Sequence, residues 1–100
     1  MISLDDVDVL VSRHLSVLVD WGQVRYTKIP SSEDPIPRKT LGIYGRNADF
    51  EIRIWEFNGV LLSYGTAEHP HQEHYDVSSF AELEALFDKF LKIIEEWKDK

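Results

Sequence analysis

Hydrophobic and polar positions alternate through residues 49–54, and Asn58-Gly59 separates this segment from a mostly apolar one at residues 60–64. An Asn-Gly pair favours the positive φ angles of a type I′ turn, so this segment predicts a β-hairpin. Pairing outward from a two-residue turn gives three opposite pairs: Phe57 with Val60, Trp55 with Leu62, and Arg53 with Tyr64. One face of the predicted hairpin collects mostly apolar and small residues: Phe50, Ile52, Ile54, Leu61, Ser63, Gly65 and Ala67. The other face mixes aromatic side chains with charged ones.

A helix is predicted before the hairpin, and Ser3 is its candidate N-cap. Asp5 and Asp6 follow in the first turn, where carboxylates complement the helix dipole. Apolar residues then recur at three- and four-residue spacing, at Leu4, Val7, Val11, Leu15 and Leu18. Gly22 is a suitable residue to end this helix after Trp21.

Further strands are predicted at residues 24–29, 40–44 and 73–77. Residues 30–37 contain three prolines, which fix φ and remove backbone donors, so we expect an exposed loop there. A four-residue turn at 45–48 sets Ile43 opposite Phe50 and Leu41 opposite Ile52, which agrees with the aliphatic face of the hairpin.

A second helix follows Ser79, since Ser79 and Glu82 fit the capping-box pattern. A wide apolar stripe runs along it: Phe80, Leu83, Phe87, Phe90, Leu91, Ile94 and Trp97. The expected fold is therefore α+β, with an antiparallel sheet of about five strands flanked by an N-terminal and a C-terminal helix, and residues 1–100 as a single domain. The pattern leaves open whether the two helices share one sheet face or cover both.

The composition excludes several classes of protein. The chain has 43% hydrophobic and 29% charged residues, no cysteine, and a formal net charge of −7. Disulfide and thiol chemistry are excluded, and no segment has the roughly 20 apolar residues of a membrane span. The negative charge opposes binding to nucleic acid or anionic membranes and favours basic partners. Residues 1–20 carry a net charge of −3 and residues 61–100 carry −5. We expect a complete cytoplasmic protein that needs no cofactor.

The densest set of catalytic residue types lies at residues 69–76, with three histidines and two carboxylates. If the chain is extended from Glu73 onward, His71 and Tyr75 point to one side and His74 to the other, so three ligands do not converge. A solvated loop is the simpler interpretation, and a metal site centred on His69, His71 and His74 is the alternative. No serine lies on a strained turn beside a histidine, and no glycine-rich phosphate loop occurs. We expect no enzymatic activity.

The mixed face of the hairpin is the better functional candidate, because arginine, tryptophan and tyrosine are enriched at binding hot spots. The candidate partner-binding residues are Glu51, Arg53, Trp55 and Tyr64 of the hairpin, with Glu33 and Asp34 of the proline loop. Arg53 and Tyr64 would also stack as a cation–π pair in the predicted register. The alternative is that these aromatic residues form a second small core beneath a helix or the long loop.

Two segments carry a resemblance in overall character to a known group of proteins. They are Phe50-Glu51-Ile52-Arg53-Ile54-Trp55-Glu56-Phe57-Asn58-Gly59 and Ser78-Ser79-Phe80-Ala81-Glu82-Leu83-Glu84. With the length, the acidity and the helix-framed sheet, they resemble small bacterial immunity proteins of contact-dependent and polymorphic toxin systems. The resemblance implies a protein that neutralises a cognate basic toxin, such as a nuclease, by binding and occluding its active site. It transfers no functional residue by position.

Two alternatives to the immunity function remain at this point. The first is a structural or assembly domain that self-associates through the same hairpin face. The second is a small metal-binding enzyme that uses the segment from His69 to His74. The sequence leaves the oligomeric state open.

Overall fold

Two helices and five strands follow one another along the chain. A computed structural model describes residues 3–29, 38–45, 48–56, 59–66 and 68–98. The elements are α1 (Leu4–Trp21), β1 (Gln23–Ile29), β2 (Arg38–Tyr44), β3 (Asp49–Trp55), β4 (Gly59–Gly65), β5 (Pro70–Asp76) and α2 (Phe80–Lys98). The strands form one antiparallel sheet in the order β1-β2-β3-β4-β5. The predicted α+β fold is confirmed, and β5 begins three residues earlier than predicted.

Both helices begin at the caps that the sequence predicts. The Ser3 hydroxyl accepts a hydrogen bond from the Asp5 amide at 3.2 Å, and Asp6 completes a capping box with the Ser3 backbone. The Ser79 hydroxyl accepts from the Glu82 amide at 3.2 Å. These contacts satisfy amide groups that have no carbonyl partner in the first helical turn.

The register between β2 and β3 matches the prediction, with Ile43 opposite Phe50 and Leu41 opposite Ile52. The predicted register of the hairpin is wrong. Three opposite pairs of β3 and β4 show the observed register: Ile54 with Val60, Ile52 with Leu62, and Phe50 with Tyr64. The observed pairing is thus offset by three residues from the pairing we expected. Asn58 lies outside the described residues.

In the observed register, each side chain of β4 lies on the face opposite to the predicted one. Because side chains alternate along a strand, an offset of three residues sends each one to the opposite side of the sheet. Val60, Leu62 and Tyr64 therefore lie on the same face as Ile54. Arg53 lies opposite Leu61, so the expected stacking of Arg53 on Tyr64 does not form.

Both helices pack on one face of the sheet, which the sequence left open. The core combines buried side chains from both helices, from β2, β3 and β4, and from the connections before β3 and after β5: Val7, Leu10, Val11, Leu18, Leu41, Ile43, Ala48, Phe50, Ile52, Ile54, Val60, Leu62, Val77, Leu83, Leu86, Phe87, Phe90, Ile93 and Ile94. Within α1, Leu10 is fully buried and Leu15 is 43% exposed, so the buried stripe is rotated from the one we expected. Neither helix is long and apolar enough, over its described residues, to cross a membrane.

Candidate functional site

The second face of the sheet carries no helix among the described residues. We call it the open face, and strand alternation assigns side chains to it. Its larger side chains are Gln23, Arg25 and Thr27 of β1, Arg38, Thr40 and Tyr44 of β2, Asp49, Glu51, Arg53 and Trp55 of β3, Leu61 and Ser63 of β4, and Gln72, His74 and Asp76 of β5. An uncovered face with this many large side chains is a candidate binding surface.

The structure brings three of the six predicted partner-binding residues together. Glu51, Arg53 and Trp55 alternate along β3 and all lie on the open face. Tyr64 lies on the helix-covered face, since it is opposite Phe50. Glu33 and Asp34 of the proline loop fall outside the described residues.

Two arginines that the sequence analysis missed join this face. The Arg38 guanidinium lies 5.9 Å from the centre of the Trp55 ring, and Arg25 lies 5.8 Å from the centre of the Tyr44 ring. Strand alternation from the confirmed pair of Leu41 and Ile52 could have placed Arg38, which lies three residues before Leu41, but that pair does not place Arg25 on β1. Guanidinium groups stacked on aromatic rings are held in place before any partner arrives.

Tyr44 lies flat along the sheet because β2 carries a glycine two residues earlier. A Cβ atom added at Gly42 would stand 2.6 Å from the Tyr44 hydroxyl oxygen, well inside van der Waals contact. Gly42 is therefore required for this position of the ring. The result is a flat aromatic surface along β2 on the open face, with Arg25 above it.

A shallow depression of about 360 Å³ lies beside Tyr44. Small residues of β4, Ser63 and Gly65, leave room for it, while Asp49 and Glu51 stand at its border. Arg53 Nε donates a hydrogen bond to Glu51, which neutralises one of the two carboxylates. The depression therefore keeps one negative charge and an aromatic side, which suits a cationic side chain.

The open face as a whole is charge-balanced, and the acidity lies mainly on the helical layer. Its described charged residues are three bases, Arg25, Arg38 and Arg53, and three acids, Asp49, Glu51 and Asp76. By sequence, α1 carries a net charge of −3 and α2 a net charge of −2. The whole molecule can thus attract a basic partner while the open face supplies mixed, specific contacts.

Tyr64 belongs to a polar cluster on the helix-covered side of β5. Its hydroxyl donates to Glu73 at 2.6 Å, and Tyr75 and Lys89 also donate to this carboxylate, with the Lys89 ammonium at 3.0 Å. These bonds, chiefly that from Tyr64, lower the pKa of Glu73 to about 2 and raise the pKa of Tyr64. The Tyr64 ring stacks on His71 with centroids 5.1 Å apart. All these groups satisfy one another, so the cluster fixes α2 on the sheet edge.

The histidine segment behaves as the alternation predicted. His71 is opposite Tyr64 and on its face, whereas His74 is opposite Leu61 and on the open face. Over residues 3–29, 38–45, 48–56, 59–66 and 68–98, no three His, Asp or Glu side chains are grouped so that they could hold a metal ion.

We compared the chain with models of known protein families, with curated protein sequences and with solved structures, and none of the three comparisons found a match.

Proposed function

We propose that this chain is a non-catalytic, protein-binding domain of the bacterial cytoplasm that acts as an immunity protein. Its partner is a basic toxin domain, a nuclease being one such class, and binding occludes the toxin's active site. The observation that carries the proposal is the open face, where Arg53 lines an acid-bordered depression and Trp55 lies two residues further along the same strand.

The residue types on this face support protein recognition. Tryptophan, tyrosine and arginine contribute most to binding energy at interfaces because they bury large areas with little loss of rotamer freedom. Trp55 and Tyr44 are both half-buried, each with an arginine above its ring. A partner that covers these stacked pairs would bury their remaining surface without reordering them.

The depression supports a basic partner. Asp49 is exposed and can meet a lysine or arginine of the toxin, while Glu51, whose side chain is 22% exposed, already pairs with Arg53 at the border of the depression. The net charge of −7 steers such a partner over longer distances. Steering raises the association rate, whereas contacts in the depression slow dissociation.

The proposal implies that a neighbouring gene encodes the cognate toxic domain, and the test uses that domain. We expect co-expression to protect cells from that domain, and we expect Trp55→Ala to abolish protection through an affinity loss of about 2 kcal/mol or more. Asp49→Asn with Glu51→Gln should weaken binding about tenfold, or about 1.4 kcal/mol.

The matched control is Glu95→Gln with Glu96→Gln, which removes the same charge from exposed positions of α2. This pair should slow association slightly and leave dissociation unchanged. Equal effects of the two double variants would show that only net charge matters and would remove the open face from the proposal. Protection that survives Trp55→Ala would also remove the open face from the proposal.

A further inference from the structure

The first strand lies at one edge of the sheet. Among the described residues β1 pairs with β2 alone, so along its seven residues the outer backbone groups face away from the sheet. Arg25, Tyr26 and Thr27 are exposed. The other edge strand begins with Pro70, and α2 is fixed to it through Glu73 and Lys89. An unpaired edge of this length is a template for another strand.

The first helix presents an exposed, uncharged stripe towards this edge. We define the α1 stripe as Ser12, Leu15, Ser16 and Val19. Leu15 and Val19 are 43% and 53% exposed. Positions seven residues apart share a helix face. Asp8 lies seven residues before Leu15, and its carboxylate accepts a hydrogen bond from the Tyr26 hydroxyl of β1. The α1 stripe therefore borders the free edge of β1.

We propose that the β1 edge and the α1 stripe together form a dimer interface with a second copy of this chain. The two β1 strands pair antiparallel about a two-fold axis at Tyr26 and join the two sheets into one of ten strands. The α1 stripes of both copies then lie on the same side of the joined sheet, above the two Tyr26 side chains.

The sequence of β1 is complementary to itself in this register. All seven residues find a partner, with Arg25 opposite Thr27 of the partner subunit and Tyr26 opposite the partner's Tyr26. A shift of the axis to Arg25 sets two arginines directly opposite, which is destabilising. Sliding one strand by a single residue, which sets Tyr26 opposite the partner's Arg25, places the two helical layers on opposite sides and separates the α1 stripes. Among the axes that keep both helical layers on one side, the axis at Tyr26 pairs all seven residues of β1, and it opposes no like charges.

The charge of the whole molecule sets the salt dependence of this dimer. Two copies that each carry a net charge of −7 repel one another. Added salt screens that repulsion, so the dimer should become tighter as salt increases. Binding of a basic toxin should weaken under the same change, so the two associations are distinguishable and this inference does not rest on the proposed function.

Sedimentation of the purified chain tests the dimer with a matched pair of variants. We expect the wild type to reach twice its mass of 11.7 kDa in a concentration-dependent way. Leu15→Lys with Val19→Lys should shift it to a monomer. Val9→Lys with Val17→Lys changes apolar positions of the same helix that are equally exposed, at 49% and 45%, but lie off the stripe. This control should remain dimeric.

Cysteine cross-linking tests the axis, since the chain has no cysteine of its own. Opposite residues of antiparallel strands have Cα atoms about 5 Å apart, within disulfide range. Tyr26→Cys should therefore form a covalent dimer on mild oxidation. Thr27→Cys should not, because two copies of that position stand about 8 Å apart in this register.

Three results would overturn the proposal. The first is a wild type that stays monomeric up to about 1 mM, where even weak association becomes measurable. The second is equal loss of the dimer in both lysine double variants, and the third is equal cross-linking of the two cysteine variants. Circular dichroism of each variant confirms that it remains folded.

Discussion

Glu73 offers the sharpest test of the electrostatics in this molecule. Its carboxylate accepts hydrogen bonds from Tyr64 at 2.6 Å, from Tyr75, and from Lys89 at 3.0 Å. All three contacts stabilise the ionised form, and they lower the pKa of Glu73 from 4.5 to about 2. Glu73→Gln removes the charge and keeps a similar shape, so the variant isolates this effect.

The magnitude follows from the difference between the two pKa values. One pH unit of difference corresponds to about 1.4 kcal/mol, so the complete difference corresponds to about 3 kcal/mol. The Glu73 side chain is 31% exposed, and solvent screens its interactions. We therefore expect Glu73→Gln to lower the free energy of unfolding by about 1–2 kcal/mol at pH 7.

The pH dependence has a defined sign. The pKa of Glu73 is lower in the folded chain than in the unfolded one, so the unfolded chain binds the proton more readily. The stabilisation is complete above pH 4.5 and is lost progressively as pH falls towards 2. The difference in stability between wild type and Glu73→Gln should shrink over this window.

Urea unfolding followed by tryptophan fluorescence, repeated from pH 7 downward, measures that difference. Glu95→Gln is the control, since Glu95 is exposed on α2, and it should change stability by less than about 0.5 kcal/mol. A difference between wild type and Glu73→Gln that stays constant from pH 7 to pH 3 would refute the reasoning.

Three further substitutions test the packing, and urea unfolding measures each. Gly65→Ala should destabilise by about 2 kcal/mol or more, because Gly65 has a φ of 118° and an added Cβ would stand 2.4 Å from the His69 carbonyl oxygen. Asp8→Asn should lower the free energy of unfolding by about 1–2 kcal/mol more than Lys39→Met does. The Lys39 ammonium, 2.7 Å from Asp8, is only 5% exposed, so Asp8→Asn leaves a buried charge without its carboxylate, whereas Asp8 is 49% exposed and remains solvated when Lys39 is replaced. Ser79→Ala should cost about 1 kcal/mol through loss of the cap, and an unchanged midpoint would contradict that role.

The elements could be predicted from the sequence because their local signals agree. Ser3 and Ser79 begin the helices, Gly22 follows the end of α1, and the β2–β3 register came from matching two apolar patterns. At each of these places cap chemistry or alternation favours a single answer.

The hairpin register could not be predicted from the turn alone. Val60, Leu61 and Leu62 are all apolar, so either face of β4 can supply residues to the core. The Asn-Gly signal favoured a two-residue turn, which placed Ser63 and Gly65 in the core. Packing favours the other face, since Val60 and Leu62 together bury more apolar surface there. The placement of Ser63 and Gly65 in the core was therefore the sequence signal against the two-residue turn.

The buried side of α1 was ambiguous for a related reason. Apolar residues surround this helix, with Val9, Leu15, Val17 and Val19 all exposed in the folded chain. Periodicity alone therefore fits several rotations, and contacts with the sheet select the one that buries Leu10. The open face could not be predicted for the same reason, because only tertiary packing decides that both helices lie on one side of the sheet.

The central claim is that the open face binds the partner, and the indole N–H signals of the three tryptophans test it most directly. Trp55 lies on the open face, while Trp21 and Trp97 pack against the core on the helical side. We predict that titration of the ¹⁵N-labelled chain with the cognate toxic domain of the proposed function shifts the Trp55 indole signal and leaves the other two nearly unchanged. A shift of Trp21 or Trp97 with Trp55 unmoved would contradict the account.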